Sequence, residues 1–330
     1  MLRINRIQGL AVCFSLCAII LASCGSDDGN GPGGPGPFNA LKLNIFEPDP
    51  LNAGFVYQIW AMTEAPDGLG AGSAEWTSVT TFRTVPKGSE QTADIVTAGG
   101  AAVPNNTLSG LDVNWEDVDS VYITIEPSAA LPTTPQRPVY LLAKVPDNLA
   151  VQTIAGATTL VNVNNVAGTF SLLTPTDSDP NNDTSGVWFV QPSVPPAAGL
   201  TLNSLPSGWR YEGWAWHDGT WLSTGVFTDP EEPDAANPYS AGENDPLAFP
   251  GEDFLTNHAN LPWVFTGNDS VMITVEPNPD TDSLAAFGFR LMSRELPDDP
   301  AVGVVHGLLF DDEAQYIPGG NVVFMRSDDL

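Results

Sequence analysis

The nonapeptide Asp119-Ser-Val-Tyr-Ile-Thr-Ile-Glu-Pro127 returns 150 residues later as Asp269-Ser-Val-Met-Ile-Thr-Val-Glu-Pro277, with seven of nine positions identical. A match that dense marks a duplication, so whatever fold these residues adopt, the chain builds it twice. Three further elements recur in the same order. Trp76, Ser78 and Phe82 share the spacing of Trp221, Ser223 and Phe227; Tyr57-Gln-Ile-Trp60 matches Tyr211-Glu-Gly-Trp214; Leu41-Lys-Leu-Asn44 aligns with Leu200-Thr-Leu-Asn203. Distances between the elements differ in the two copies, as when loops vary around a fixed frame of strands.

The repeated segments read as strands. Val121, Ile123 and Ile125 alternate with Tyr122, Thr124 and Glu126, the period of two of a half-buried strand, and Pro127 and Pro277 mark its exit or a free edge because proline cannot donate to a ladder. Further strands are predicted over 55–62, 79–84, 138–144, 169–173, 187–190, 209–216, 286–291 and 321–325. With 31 Gly and 30 Pro among 330 residues, turns are too dense for long helices, and no βαβ alternation emerges. The predicted fold is all-β: two tandem antiparallel Ig-like β-sandwich domains, 38–150 and 151–330, with the seam between Val145 and Gly168.

Ahead of these domains, Arg3 and Arg6 precede an apolar run from Gly9 to Ser23, too short for a comfortable membrane span. The run ends in Leu21-Ala22-Ser23-Cys24, which resembles the lipobox of bacterial lipoproteins. That resemblance implies a signal peptide over 1–23 and a palmitate-bearing, acylated Cys24 as the new N-terminus. Cys13 and Cys17 fall in the discarded part, so no disulfide is expected. Residues 24–37, Gly-, Pro- and Asp-rich, form a linker with a span on the order of 20 Å. Gly25 after the lipidated cysteine implies, by resemblance to bacterial sorting rules, an outer-membrane destination. Asp27-Asp28 resembles an acidic surface-export tag and equally suits a solvated linker, which leaves periplasmic and surface-facing placements both open.

Charge narrows the partners. Eleven basic against 40 acidic side chains give a net −29, which repels phosphate backbones and excludes nucleic acid as a direct ligand. Anionic lipid is repelled too, so membrane attachment rests on the acyl chains of Cys24 at about 0.8 kcal/mol per buried methylene.

The order Tyr-x-x-Trp, then Gly or Ser before Phe, then a strand ending in Glu-Pro resembles the extracytoplasmic C-terminal domain of RskA-like anti-sigma factors, and Leu131-Pro-Thr-Thr-Pro135 matches the family's Pro-Thr-rich continuation. The likeness implies a β-sandwich. It does not bring sigma binding, because the sigma-binding region and transmembrane helix of that family have no counterpart here.

No catalytic motif is present. His217, His258 and His306 show no metal-ligand spacing, and neither a nucleophile elbow nor a phosphate loop occurs. Glu252-Asp253 is expected to be a solvated acidic pair. Glu126 and Glu276, kept in both copies, are expected to accept backbone N–H groups freed by the neighbouring proline. Asp177, Asp179, Asn181 and Asp183 place oxygens at every second position, as calcium loops do, without the glycine and distal Glu that complete such loops; calcium is the one cofactor to consider, against a plain polar turn. In the aromatic stretch 209–216, Tyr211 and Trp214 have counterparts in the first copy, whereas Trp209 and Trp216 lack them and become the candidates for contact with a glycan or protein ligand. The expected function is a lipid-anchored, non-catalytic binding or structural module of the cell envelope. A sensor domain of the anti-sigma type acting with a membrane partner, or a hydrolase with an unrecognised acidic site, are the alternatives.

Overall fold

Both versions of the nonapeptide form interior strands, each in its own sheet. The computed structural model describes residues 36–46, 50–63, 74–85, 93–136, 138–147, 149, 154–158, 165–241, 249–280, 285–287, 289–310 and 319–330; the predicted signal peptide, Cys24 and most of the linker lie outside them. Along the chain the strands are β1 (Ala40–Phe46), β2 (Phe55–Thr63), β3 (Glu75–Val85), β4 (Asp94–Thr97), β5 (Thr107–Leu108), β6 (Ser120–Pro127), β7 (Val139–Lys144), β8 (Ile154–Thr158), β9 (Ala167–Ser171) and β10 (Val187–Trp188). There follow β11 (Val190–Gln191), β12 (Ala197–Ala198), β13 (Leu200–Thr201), β14 (Trp209–His217), β15 (Thr220–Phe227), β16 (Gly251–Glu252), β17 (Ser270–Pro277), β18 (Arg290–Glu295), β19 (Val305–Phe310) and β20 (Gly319–Met325). Among the described residues there is no α-helix, and the sheets are antiparallel throughout, as the punctuation by Gly and Pro predicts.

One sheet runs β4-β3-β2-β6-β7-β8-β20-β1-β5 and the other β15-β14-β17-β18-β19-β9-β10-β16, with β13 beside β9. The block β3-β2-β6-β7 and the block β15-β14-β17-β18 are the same structure made twice. Tyr57 lies opposite Ile125 and Tyr211 opposite Val275; Trp60 lies opposite Tyr122 and Trp214 opposite Met272. Even the irregularities repeat. The register slips next to Trp60 and next to Trp214, and again at Thr124 and at Thr274. Bulges are specific features of a strand pair, so their coincidence shows that the sequence repeat is a structural one.

The copies are not merely consecutive. After β8 the chain runs to β9, which pairs with β19 in the second sheet; after β19 it runs to β20, which inserts between β8 and β1 in the first. Each sheet is thus completed by the strand that follows the other sheet's last hairpin. Gly320 permits this insertion, since a Cβ there would meet the Asn44 carbonyl oxygen at 2.2 Å. Phe170 of β9 and Phe324 of β20 are both fully buried.

Sheet edges are drawn back together. The Asn106 side chain accepts from Ile95 N at 2.8 Å and donates to Ala93 O at 3.0 Å, which ties the β4 edge to the segment entering β5 at the opposite edge. In the second sheet Asp234 takes this part: its Oδ2 accepts from Gly251 N of β16 at 2.8 Å, while Ala235 N donates to Val226 O of β15 at 2.9 Å. Such stitching covers part of the edges on which strands from other chains could assemble. Residues 35–330 form one compact unit with a continuous core that includes Tyr57, Tyr140, Trp209 and Phe287.

Candidate functional site

The conserved Trp, Thr and Glu of the repeat form a buried relay in both copies. Trp60 Nε1 donates to Thr124 Oγ1 at 2.8 Å, Thr124 donates to Glu126 Oε1 at 2.6 Å, and the same carboxylate oxygen accepts from Gln136 N at 2.9 Å. In the second copy Trp214 Nε1 donates to Thr274 Oγ1 at 3.0 Å, Thr274 donates to Glu276, and Glu276 accepts from Phe287 N at 3.0 Å. The two carboxylates hold the backbone that enters β7 and β18, the structural role expected of them beside a strand-ending proline.

Trp209 and Trp216 part company. Trp209 is buried, packs against Phe287 and Phe289 at ring distances of 6.0 and 6.4 Å, and donates its Nε1 to Val139 O of the first copy at 3.2 Å. It does have a counterpart: Phe55 lies opposite Pro127 as Trp209 lies opposite Pro277, an equivalence hidden in sequence because the residue types differ. Trp216 is half-buried on the other face of β14, directly opposite the half-buried Trp221 of β15. In the first copy Met62 stands where Trp216 does, and Trp76, the equivalent of Trp221, lies edge-on to Tyr122 at 4.8 Å, both rings half-buried. Sequence reasoning singled out Trp209 and Trp216, of which Trp216 alone lies on this face. Cross-strand pairing supplies its companions, and the shared Trp of the Trp-x-Ser motif was the available signal.

The second copy also concentrates buried acids. Glu252 and Asp253 are fully buried, not solvated as their abundance in the chain suggested. Glu252 accepts from Ser240 Oγ and from Asp253 N, while Asp253 accepts from Trp188 Nε1 at 2.7 Å and from Thr176 N at 3.1 Å. Burial pushes Glu252 up to about 7, with Asp234 adding to the effect, and pushes Asp253 up to about 7, with Asp177 and Asp183 adding. Asp234 is raised to about 6, also chiefly by burial. These acids close the second sheet.

The loop of Asp177, Asp179, Asn181 and Asp183 satisfies itself. Asp177 accepts from Asn182 Nδ2 and Asp179 N, Asp179 from Asn181 N at 3.0 Å and Asn181 Nδ2 at 2.6 Å, and Asp183 from Thr174 N and Oγ1. Asp177, Asp179 and Asp183 line one shallow hollow of about 260 Å³ that Asn181 does not reach. Among the described residues no group of three or more His, Cys, Asp or Glu side chains is placed to hold a metal ion. Of the histidines, His217 sits 2.9 Å from Asp269 and packs on Trp263, His258 packs on the same indole, and His306 stacks on Phe170. No family model, curated protein or solved structure matches the chain.

Proposed function

We propose that the chain is a lipid-anchored, extracytoplasmic, non-catalytic binding protein of the bacterial outer membrane. The observation that carries this is the run ending in Leu21-Ala22-Ser23-Cys24, followed by a linker without apolar side chains and then a β-rich body. Each copy is a sandwich of Ig-like type, a proposal supported by its short antiparallel strands and returned edges. The contact face is the Trp216–Trp221 pair; the first copy carries a different half-buried aromatic pair, Trp76–Tyr122. Half-exposed aromatic faces suit sugar rings, and the net −29 favours neutral glycans over anionic ones.

Metabolic labelling with a palmitate analogue in a bacterial host tests the anchor. Label in the membrane fraction, lost in Cys24→Ala, is the expected result; unlabelled soluble wild-type protein would refute it. For the contact face, immobilised neutral polysaccharides should retain the wild type, and Trp216→Ala should weaken retention at least tenfold without changing the circular dichroism spectrum. Equal retention of the variant would remove Trp216 from the site.

A further inference from the structure

Four large apolar side chains stand exposed on β19 and the turn that leads into it: Val302 by 42%, Val304 by 50%, Val305 by 45% and Leu309 by 60%. Alternation divides the strand between two environments. His306 stacks on Phe170 and Leu308 is buried, whereas Val305, Gly307 and Leu309 point the other way, where a Cβ on Gly307 would meet nothing within 4 Å. Because β19 is hydrogen-bonded to both β18 and β9, this is an open sheet face and not an edge. Its neighbours across the ladders, Ser293, Thr169 and Ser171, carry no charge. Clustered apolar side chains inside a polar rim mark a contact surface.

The rim has one sign. Gly303 N donates to Leu172 O at 3.2 Å, and a Cβ on Gly303 would touch Leu173, which lines the hollow of Asp177, Asp179 and Asp183. The apolar turn and that hollow are therefore contiguous. Phe265 N donates to Thr184 O at 2.9 Å, which brings the exposed Val264 to the end of the same loop. Asp298 and Asp299, both exposed, precede the turn. No Lys or Arg occurs in 171–185, 264–267 or 297–305. Among the described residues, Asp177, Asp179 and Asp183 accept only from neutral N–H and O–H groups, so their charge is uncompensated.

Charge decides between occupants. A second copy would set one acidic rim against another, and anionic lipid would meet the same repulsion. We propose that this face docks a basic, amphipathic protein segment, whose apolar side chains cover the Val302–Leu309 strip and whose Lys or Arg side chains meet the acidic rim. Leu173, Pro175 and Pro180 suit the methylene stem of such a side chain, and the exposed Asp179 receives its head. The apolar strip holds the segment, while the acids speed its approach and exclude acidic competitors. This docking goes beyond the anchored, glycan-contacting role. It uses neither Cys24 nor Trp216, and stands or falls apart from both.

The test is fluorescence anisotropy of a labelled Leu/Lys peptide that forms an amphipathic helix, titrated with the full chain at about 0.15 M salt. A Ser/Lys peptide of equal charge and a Leu/Glu peptide of equal pattern are the controls. The Leu/Lys peptide should bind saturably at one site, at least tenfold more tightly than Ser/Lys, and the Leu/Glu peptide should not bind. Val304→Ser with Leu309→Ser should weaken binding at least tenfold without changing the melting temperature, since both side chains are exposed; Val304→Ser alone serves if the double variant does not fold. Val85→Ser, at an exposed valine elsewhere, should change nothing. Asp179→Asn with Asp299→Asn should weaken binding at least threefold and flatten its salt dependence. Equal affinity for Ser/Lys, binding undiminished by the strip variants, or an equal loss in Val85→Ser would each overturn the proposal. So would sedimentation showing a dimer that Val304→Ser dissolves, which would give the face to a second copy.

Discussion

Gln58 and Glu212 occupy one place in the two copies and meet the equivalent serine with opposite hydrogen-bond polarity. Gln58 donates to Ser78 Oγ at 3.1 Å, and Glu212 accepts from Ser223 Oγ; both side chains are buried. Burial pushes Glu212 up to about 7, with Asp280 adding to the effect and Ser223 and Arg210 opposing it. Because the folded pKa lies above the 4.5 of an ordinary glutamate, the folded state holds its proton more tightly than the unfolded chain does. Stability from this group is full below pH 4.5, declines as pH rises, and is lost above about 7. Glu212→Gln should match the parent at pH 4 and exceed it at pH 8 by up to about 3 kcal/mol. Urea titrations at the two pH values check this; a constant difference between the proteins would mean that folding does not raise the Glu212 pKa. The pairing of Gln58 with Glu212 is legible in the aligned Tyr-x-x-Trp motifs, but their burial is not. Glu252-Asp253 shows why: composition says that acids are common, whereas their seat is set by Ser240, Trp188 and Thr176, which are distant in sequence or unremarkable in type.

At the scale of elements, alternation located most strands but not their ends. A strand predicted over 286–291 is found at Arg290–Glu295, because Phe287 gives its N–H to the Glu276 carboxylate instead of a ladder. The strand β19, Val-His-Gly-Leu-Leu-Phe, has no alternation to betray it, and β8 consists mostly of small residues. Conversely, the Thr within the nonapeptide looked like an ordinary outward position. It is the centre of a relay that locks β14 to β17 and to the approach of β18. Thr274→Val keeps the shape but orphans the Trp214 indole N–H and deprives Glu276 of a donor, at a cost of about 2–4 kcal/mol in chemical denaturation. Thr274→Ser, which retains the hydroxyl, should cost less than about 1 kcal/mol. Similar losses in the two variants would show that packing, not the hydroxyl, matters there.

For the whole molecule, the duplication was legible and the exchange was not. Repeated motifs report which residues are equivalent; they carry no record of which sheet receives the strand after the last hairpin. The consequence is thermodynamic. A first sheet without β20 leaves β8 and β1 unpaired along their shared gap, and a second sheet without β9 loses the partner of both β13 and β19. Neither copy can therefore unfold without stripping a strand from the other, and two successive domains would behave otherwise. Calorimetry should give one transition whose calorimetric and van't Hoff enthalpies agree, although a chain of 330 residues with two repeats would ordinarily show two. Phe324→Ala, in β20, provides the sharper version: truncating this buried ring should cost about 3–5 kcal/mol and move the entire transition, second-copy tryptophan fluorescence included. Two resolved transitions, with only the first displaced by the variant, would show that the exchanged strands do not couple the copies.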